Sequence, residues 1–247
     1  GLTAGTAAYL DPTTAGALTN TPNAFGPVLM PTSATAGYVL SNSNSSASTG
    51  KMLWVDSVFG NDSTGARQVF GLPFLTLTAA KTAAQSGDTI VVRPGTYDER
   101  NLLKNGVNWH FMPGAVVDHS GSPGLTDVFI FDDGADGANG AVTCSITGFG
   151  VFISSGDDDV GESDYGVLRL SNSGSNVSME ADVLDRTGFA DVNVTSTTVK
   201  HMEGTLSIKA NVIRLSATAG NGQATVLWEN GNSYIKANTI EMLVPTT

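Results

Sequence analysis

The sequence predicts an all-β fold in which similar units of chain stack on one another as a solenoid. From Asp88 onward, short apolar runs alternate with polar residues and are separated by segments rich in Asn, Asp, Gly and Ser. This pattern is typical of half-buried strands joined by turns. A short motif also recurs at intervals of 27 to 29 residues, about the length of one coil of a parallel β-helix. Repeats of that length usually bury a face that no single unit can bury alone.

The repeat is clearest in three segments. Residues 207–213 match residues 234–240 at an offset of 27, and residues 178–184 are an earlier copy at an offset of 29. Apolar residues and a central alanine, Ala210 or Ala237 in the later copies, are predicted to face the interior, and charged or amide residues the solvent. A β-sandwich also alternates in this way, but it has no reason to repeat a sequence at this interval.

The composition narrows the classes of function. The 247 residues include 23 acidic and 12 basic side chains, a net charge of −11. This argues against nucleic-acid binding, because phosphate contacts need clustered cations. The single cysteine, Cys144, excludes an intrachain disulfide framework and is expected to be a small core residue. No apolar run approaches the roughly 20 residues of a membrane span, and the first residues show no secretory signal.

Residues 1–50 differ from the rest of the chain. They are rich in Thr, Ala, Ser, Gly and Pro and carry one charged residue, Asp11, so they are not expected to form a compact domain alone. The alternatives are a disordered leader and an extended arm that orders on a partner. Spaced apolar clusters favour the arm, at Tyr9-Leu10, Phe25 and residues 28–30. Residues 36–44 resemble a segment common near the attachment ends of tailed-phage fibres and other virion proteins, and residues 41–50 are interpreted as a flexible linker.

One helix and a series of strands follow the arm. Leucines and alanines between residues 75 and 84 are spaced for a short amphipathic helix, and Gly87 suits its C-terminal end. A β-branched strand at residues 90–92 begins after the turn pair Gly87-Asp88 and ends at Pro94-Gly95. Further strands are predicted at residues 107–111, 128–131, 142–146, 151–153, 167–170, 177–184, 192–194, 206–215, 226–228 and 234–244.

Residues 54–117 resemble the entry to right-handed parallel β-helices of the pectin-lyase-like superfamily. The matching residues are Val55, Asp56, Gly60, Asn61, Asp62, Gly65, Pro73, Phe74, Thr76, Leu77, Ala80, Ala84, Gly87, Asp88, Thr89, Ile90, Val92, Pro94, Gly95, Thr96, Tyr97 and Glu99. The resemblance implies a right-handed parallel β-helix at residues 88–247 and a capping segment with a short helix at residues 51–87. The extended attachment arm predicted from composition, residues 1–50, precedes them. The superfamily includes polysaccharide lyases, glycoside hydrolases, adhesins and phage tailspikes, so the resemblance indicates fold and not function.

The densest acidic cluster is the candidate for calcium or for catalysis. It consists of Asp157, Asp158, Asp159 and Glu162, with Asp164 beside them. In the superfamily such clusters hold calcium in lyases, and Asp pairs act as acid and base in hydrolases. A solvated loop is the third alternative. The chain lacks the Gly-His-Gly and Arg-x-Lys motifs of the hydrolases, and nothing marks Arg169 or Arg186 as a lyase base. No catalytic residue is therefore assigned, and calcium is the one cofactor considered.

Four aromatic residues are candidates for stacking on sugar rings. They are Trp109, Trp228, Tyr165 and Tyr234. The alternative is that these rings pack between coils or between subunits. The three histidines are scattered without metal-ligand spacing, so zinc is not expected.

These observations predict a non-enzymatic virion protein of a tailed bacteriophage. It would be a fibre or appendage that docks on other virion proteins through residues 1–50 and binds host surface glycans. One alternative is a polysaccharide lyase or glycoside hydrolase of the superfamily. Another is a bacterial surface adhesin, which would be secreted or held at the cell surface. By analogy with fibres, a homotrimer is expected, with the apolar residues 240–244 buried between subunits.

Overall fold

The computed structural model describes residues 51–100, 102–119, 128–134, 140–156, 165–188, 197–216 and 224–243, and the backbone of four strands nearer the N-terminus. The chain divides into two compact units, Gly1–Ser48 and Thr49–Thr247.

The first unit contains a four-stranded antiparallel sheet. Its strands are β1 (Ala8–Leu10), β2 (Leu18–Thr19), β3 (Pro27–Pro31) and β4 (Gly37–Val39), and their order in the sheet is β2-β1-β3-β4. The sequence predicts an extended arm, and in the structure the strands that hold two of its apolar clusters, β1 and β3, pair with each other. Two of the three predicted clusters fall in β1 and β3, and Phe25 lies outside the described residues.

In the residues that the structure describes, the second unit is all-β apart from one short helix. Its elements are β5 (Met52–Val55), α1 (Leu77–Ala83), β6 (Thr89–Val92), β7 (Gly95–Tyr97), β8 (Asn108–Phe111), β9 (Ala115–His119), β10 (Val128–Asp132), β11 (Thr143–Gly148), β12 (Val151–Gly156), β13 (Tyr165–Leu170), β14 (Asn176–Gly188), β15 (Thr197–His201), β16 (Thr205–Ser216), β17 (Ala224–Trp228) and β18 (Asn232–Leu243).

These strands form three ladders in which every pairing is parallel. The first ladder runs β5-β6-β8-β11 and continues through the N-terminal parts of β14, β16 and β18. The second ladder runs β7-β9-β12 and continues through the C-terminal parts of the same three long strands. The third ladder is β10-β13-β15-β17. The prediction of an all-β fold built from parallel strands is therefore confirmed.

The sequence repeat corresponds to the strand register. Ile208 pairs with Ile235 and Ala210 with Ala237, at the predicted offset of 27 residues, and Met179 pairs with Ile208 at the offset of 29. Ala210 and Ala237 pack against the hydrophobic core, as predicted. The repeat exists because each copy occupies the same position in the sheet as its neighbour and meets the same surroundings.

The strand predictions hold wherever the structure describes them, and four strands of the second unit were not predicted. Residues 192–194 lie outside the described part of the chain. The missed strands are β5, β7, β9 and β15. β7 begins directly after Pro94 and β9 directly after Gly114, which has φ +88°. A Pro-Gly pair predicts the end of a strand. In the structure the chain turns at each pair and immediately enters the next strand.

Helix α1 covers the start of the first ladder. It packs against β5 and β6 and buries Leu77 and Ala80. The Thr76 side chain accepts a hydrogen bond from the Ala79 amide at the N-cap. The helix ends earlier than predicted, because Ala84 is already extended, and Gly87 (φ +90°) lies in the turn before β6.

The polar residues of the entry motif hold this region together. Asp56 accepts the amides of Val58 and Phe59, and Asp62 accepts those of Leu75 and Thr76. Asp88 and Glu99 do the same for other backbone groups around the helix. The carboxylates of the motif therefore serve the fold, which explains why the motif is informative about structure.

Candidate functional site

A surface groove of about 690 Å³ lies where the first and second ladders meet. It is lined by His110, Thr147, Gly148, Phe149, Glu180, Ala181, Asp182, Lys209, Ala210, Asn211, Lys236 and Asn238. These residues come from β8, from the end of β11 and the turn after it, and from the middle of the three long strands. The parallel register places equivalent residues of successive strands side by side, about 4.8 Å apart. The lining residues therefore form rows that run across the strands.

One row carries charge. Glu180, Lys209 and Lys236 are register neighbours on successive strands. The Lys209 ammonium donates to the Glu180 carboxylate at 3.2 Å, with both side chains more than half exposed. Lys236 is exposed and has the next position in the row. The row thus offers two cations and one anion to a ligand.

A second row carries amide groups. The Asn238 amide nitrogen donates to the Asn211 carbonyl oxygen at 3.0 Å, and the Asn211 amide nitrogen donates to an Asp182 carboxylate oxygen at 3.2 Å. Each side chain orients the next, so the row presents fixed donors and acceptors along the groove. Between the two rows, Ala181 and Ala210 leave a floor without bulky side chains.

Phe149 closes one end of the groove with an exposed ring. Its side chain is 63% exposed, and it occupies the turn between β11 and β12, between Gly148 and Gly150. Gly148 has φ +101°, and a Cβ there would lie 2.0 Å from the Phe111 carbonyl oxygen. Only glycine fits this close approach, so the turn that presents Phe149 depends on Gly148.

His110 lies at the same end, held by a defined hydrogen bond. The Thr147 hydroxyl donates to the Trp109 carbonyl oxygen at 3.1 Å, and its oxygen lies 3.0 Å from His110 Nδ1. A hydroxyl has a single proton, so Nδ1 of His110 carries a hydrogen and donates to Thr147. In the neutral imidazole Nε2 is then an acceptor on an exposed ring.

Trp109 is in the core, which corrects its assignment as a sugar-stacking residue. It is fully buried and stacks on Phe111, with ring centroids 5.9 Å apart. Trp109 and Phe111 are two residues apart on β8, so they share the inward face of the strand. The Trp109 ring therefore fits the alternative given for the aromatic residues, which is that they pack inside the structure.

Two further aromatic candidates, Trp228 and Tyr234, lie outside the groove. Trp228 is 60% exposed and its indole nitrogen donates to the Gly231 carbonyl oxygen at 2.6 Å. Tyr234 is 59% exposed and stands on β18 beside Ser207. Neither lines the groove, and the Tyr165 side chain is outside the described residues. The structure therefore does not bring Trp109, Trp228 and Tyr234, the three candidates with described side chains, together.

The acidic cluster falls outside the described part of the chain. This applies to Asp157, Asp158, Asp159, Glu162 and Asp164. Within the described ranges, no group of three or more His, Cys, Asp or Glu side chains could hold a metal ion, and no helix is long and apolar enough to cross a membrane.

The two arginines considered as lyase bases are both buried. Arg169 forms a two-pronged ion pair with Asp132, and its guanidinium lies over the Phe129 ring. Arg186 is 1% exposed and donates to the Thr187 carbonyl oxygen at 2.6 Å. Neither lines the groove.

Sequence reasoning missed Phe149 and the groove residues. An aromatic ring between two glycines at a strand boundary was a local signal for an exposed turn aromatic. The two rows could have been derived from the repeat, since it stacks Lys209 on Lys236 and Asn211 on Asn238. Comparison of the chain with protein-family models, with curated proteins and with solved structures returned no match.

Proposed function

We propose that this chain is a non-enzymatic, glycan-binding virion protein of a tailed bacteriophage, a fibre or appendage of the particle. In this proposal the three parallel ladders are the faces of a right-handed parallel β-helix of the pectin-lyase-like kind. Residues 1–50 attach the chain to other virion proteins, and the groove contacts glycans on the host surface.

The parallel pairing supports the β-helix part of the proposal. From β8 onward, the chain passes from the first to the second and then to the third ladder, and it returns to the first ladder one strand further along. Three ladders with this order repeat a coil. Covering of the first strand by α1 supports the capping role that the entry resemblance implies.

The groove carries the functional part of the proposal. An exposed aromatic ring, a row of oriented amides and a row of opposite charges suit a sugar chain, because sugars present apolar ring faces and many hydroxyl groups. The lining of the groove extends over successive strands from β8 to β18, which fits a polymer rather than a compact ligand.

The first prediction concerns Phe149. We expect Phe149→Ala to weaken binding to the recognised polysaccharide about tenfold, the loss of roughly 1.4 kcal/mol from one stacked ring. The measurement is a binding titration against a panel of neutral and acidic bacterial surface polysaccharides, with capsule and O-chain polymers included.

Phe59→Ala is the matched control, because Phe59 is 80% exposed and does not line the groove. It removes the same ring and should leave binding unchanged. Equal loss in both variants, or no polysaccharide bound by the native chain, would remove the support for a glycan-binding groove.

Glycoside hydrolysis is a second candidate function, favoured by one observation. Glu180 and Asp182 both line the groove, two residues apart on β14, and paired carboxylates are the groups that hydrolyse glycosidic bonds. Release of reducing ends from a bound polysaccharide, abolished by Asp182→Asn, would establish this enzyme function in place of simple binding.

A further inference from the structure

We propose that the last described strand, β18, pairs antiparallel with β18 of a second copy of this chain about a two-fold axis between Asn238 and Thr239. The occupant of the open strand edge is thus a second copy, joined end to end.

The first support is the state of this edge. Among the described residues β18 pairs only with β16, so one edge of a 12-residue strand has no ladder partner. Ile240 is 58% and Met242 48% exposed, although their partners on β16, Ile213 and Leu215, are fully buried. Core-side apolar residues and unpaired backbone groups together mark a surface that pairs with another strand.

The second support is the alternation of side chains along β18. Ile235, Ala237, Ile240 and Met242 occupy core-side positions, because they pack on the core or pair with buried residues of β16. Asn238 and Thr239 are two consecutive exposed residues between them. Because of this break, core-side and solvent-side positions follow the same order in both directions from the midpoint between Asn238 and Thr239. The pattern of positions along β18 is therefore a palindrome.

An antiparallel pairing centred at that break therefore matches both faces at once. It places Ile235 opposite Met242 of the partner and Ala237 opposite the partner's Ile240, all on the core side. Shifting the register by one or two residues in either direction sets core-side against solvent-side residues next to the break. Register in a sheet is determined by this kind of facial match.

Charge complementarity selects the same register. Lys236 falls opposite the partner's Glu241, and the two-fold axis creates this pair twice. Tyr234 falls opposite the partner's Leu243, so exposed apolar groups are also covered in pairs. In the single chain, Glu241 accepts from Arg214 at 2.8 Å and is 35% exposed at its side chain, which leaves it accessible to a second cation.

The opposite end of the ladders cannot supply the partner strand. Residues 68–74 cover the edge of β5 that faces away from β6. The Gln68 amide donates to the Met52 carbonyl oxygen, and the Phe74 amide donates to the Trp54 carbonyl oxygen. The β18 edge of one copy therefore cannot pair with the β5 edge of the next copy. Pairing between two β18 edges remains.

The test is a charge reversal with rescue by mixing. Light scattering of the native chain should give about twice the 25.4 kDa chain mass. Lys236→Glu and Glu241→Lys should each raise the dimer dissociation constant about tenfold or more, because each sets like charges opposite one another twice. Mixing the two variants restores both opposite-charge pairs, so the mixture should form dimers. Lys51→Glu, an exposed lysine at the other end, controls for the change in net charge.

Cross-linking provides a readout that does not depend on charge. Burial raises the pKa of the Cys144 thiol to about 12, so an introduced surface cysteine reacts selectively. Asn238→Cys places the thiol beside the two-fold axis and should give covalent dimers on oxidation. Asn211→Cys, one strand further from the axis, should not. A native mass of one or three chains, dimers indifferent to both charge variants, or equal cross-linking at the two positions would overturn the proposal; three chains would support the homotrimer.

Discussion

Asp88 shows how one residue of the entry motif joins three segments. Its fully buried carboxylate accepts two hydrogen bonds from Arg67, one from the Lys51 amide and one from the Gln85 amide. Burial alone would raise the pKa of this carboxyl, but these hydrogen bonds and the Arg67 charge outweigh burial and lower it below its usual value.

The prediction at this position is a pH-dependent loss of stability. Asp88→Asn should lower the free energy of unfolding by about 3 kcal/mol near neutral pH, because Arg67 is left without its carboxylate. The folded-state pKa of Asp88 lies below the unfolded value of 3.8, so its contribution is complete above that value and is lost as the pH falls through the folded pKa. The difference in the free energy of unfolding between the native chain and Asp88→Asn should therefore become smaller in acid.

Denaturant unfolding at neutral pH and at about pH 3 measures this difference. Glu229→Gln, a change at an exposed carboxylate, is the control and should have little effect at either pH. A deficit for Asp88→Asn that stays constant or grows in acid would contradict the proposed role of the charge.

Trp109 and Phe149 show what the sequence reveals about single residues. Strand alternation placed Trp109 with Val107 and Phe111, and a face of three large apolar residues is a core face. The signal for burial was therefore present. Phe149 has no such periodic context, since turn residues do not alternate, and its place in the groove depends on the distant strands β14 and β16.

Helix α1 is an element whose stability comes from outside itself. Seven residues are too few for a stable isolated helix. The Glu99 carboxylate accepts the amides of Leu77 and Thr78 at 2.6 and 2.5 Å. At the other end the Lys104 ammonium donates to three backbone carbonyl oxygens, those of Lys81, Thr82 and Ala84. A carboxylate at the N-terminus and an ammonium at the C-terminus both complement the helix dipole.

Removal of the Lys104 cap should loosen this end of the molecule. We expect Lys104→Ala to lower the free energy of unfolding by about 2 kcal/mol, since three charge-assisted hydrogen bonds to backbone are lost together. Hydrogen exchange should become faster at the α1 amides, before any change at β14 or β16.

Lys209→Ala is the matched control, because its exposed ion pair with Glu180 contributes about 0.5 kcal/mol or less. Unchanged exchange at the α1 amides in Lys104→Ala would show that packing against β5 and β6, and not the caps, holds the helix.

Strands were predictable from the sequence where a local pattern was repeated. They were not predictable where a turn determined the start of the strand. The repeat placed β14, β16 and β18 on one another with the observed offsets. β7 has three residues, too few for a periodic signal, and β15 (TTVKH) contains a single large apolar residue, Val199. β9 follows a Pro-Gly pair, which also marks chain reversals. The groove required knowledge of which strand lies beside which turn, and only the register supplies that.

The ladders of the second unit have two different ends. At the beginning of the ladders, residues 68–74 and α1 cover the first strand, and at the other end β18 leaves a core-side row exposed. If two β18 strands pair as proposed, the two-fold axis passes through the junction of the first and second ladders, where the groove also lies. The grooves of the two copies would then meet and present one longer surface to a polymer.

The two-unit division leads to a prediction about the whole chain. The described hydrogen bonds of the second unit begin at Lys51, whose amide bonds to Asp88, and its core cluster begins at Leu53. Deletion of residues 1–48 should therefore leave the melting temperature of the remaining chain within a few degrees of the native value, because neither the ladders nor the cap is altered. Thermal unfolding followed by circular dichroism measures this.

Deletion of residues 1–58 is the comparison that gives the result meaning. It removes β5, the Lys51 amide bond to Asp88 and the backbone that pairs with residues 68–74, and it exposes the edge of β6 in place of a covered strand. This shorter chain should unfold at a clearly lower temperature or aggregate. The contrast tests the boundary, because both deletions remove the first unit and only the second cuts into the ladders. Equal destabilisation by both deletions would mean that residues 1–48 contribute to the stability of the ladders, and that the arm is part of the folded body.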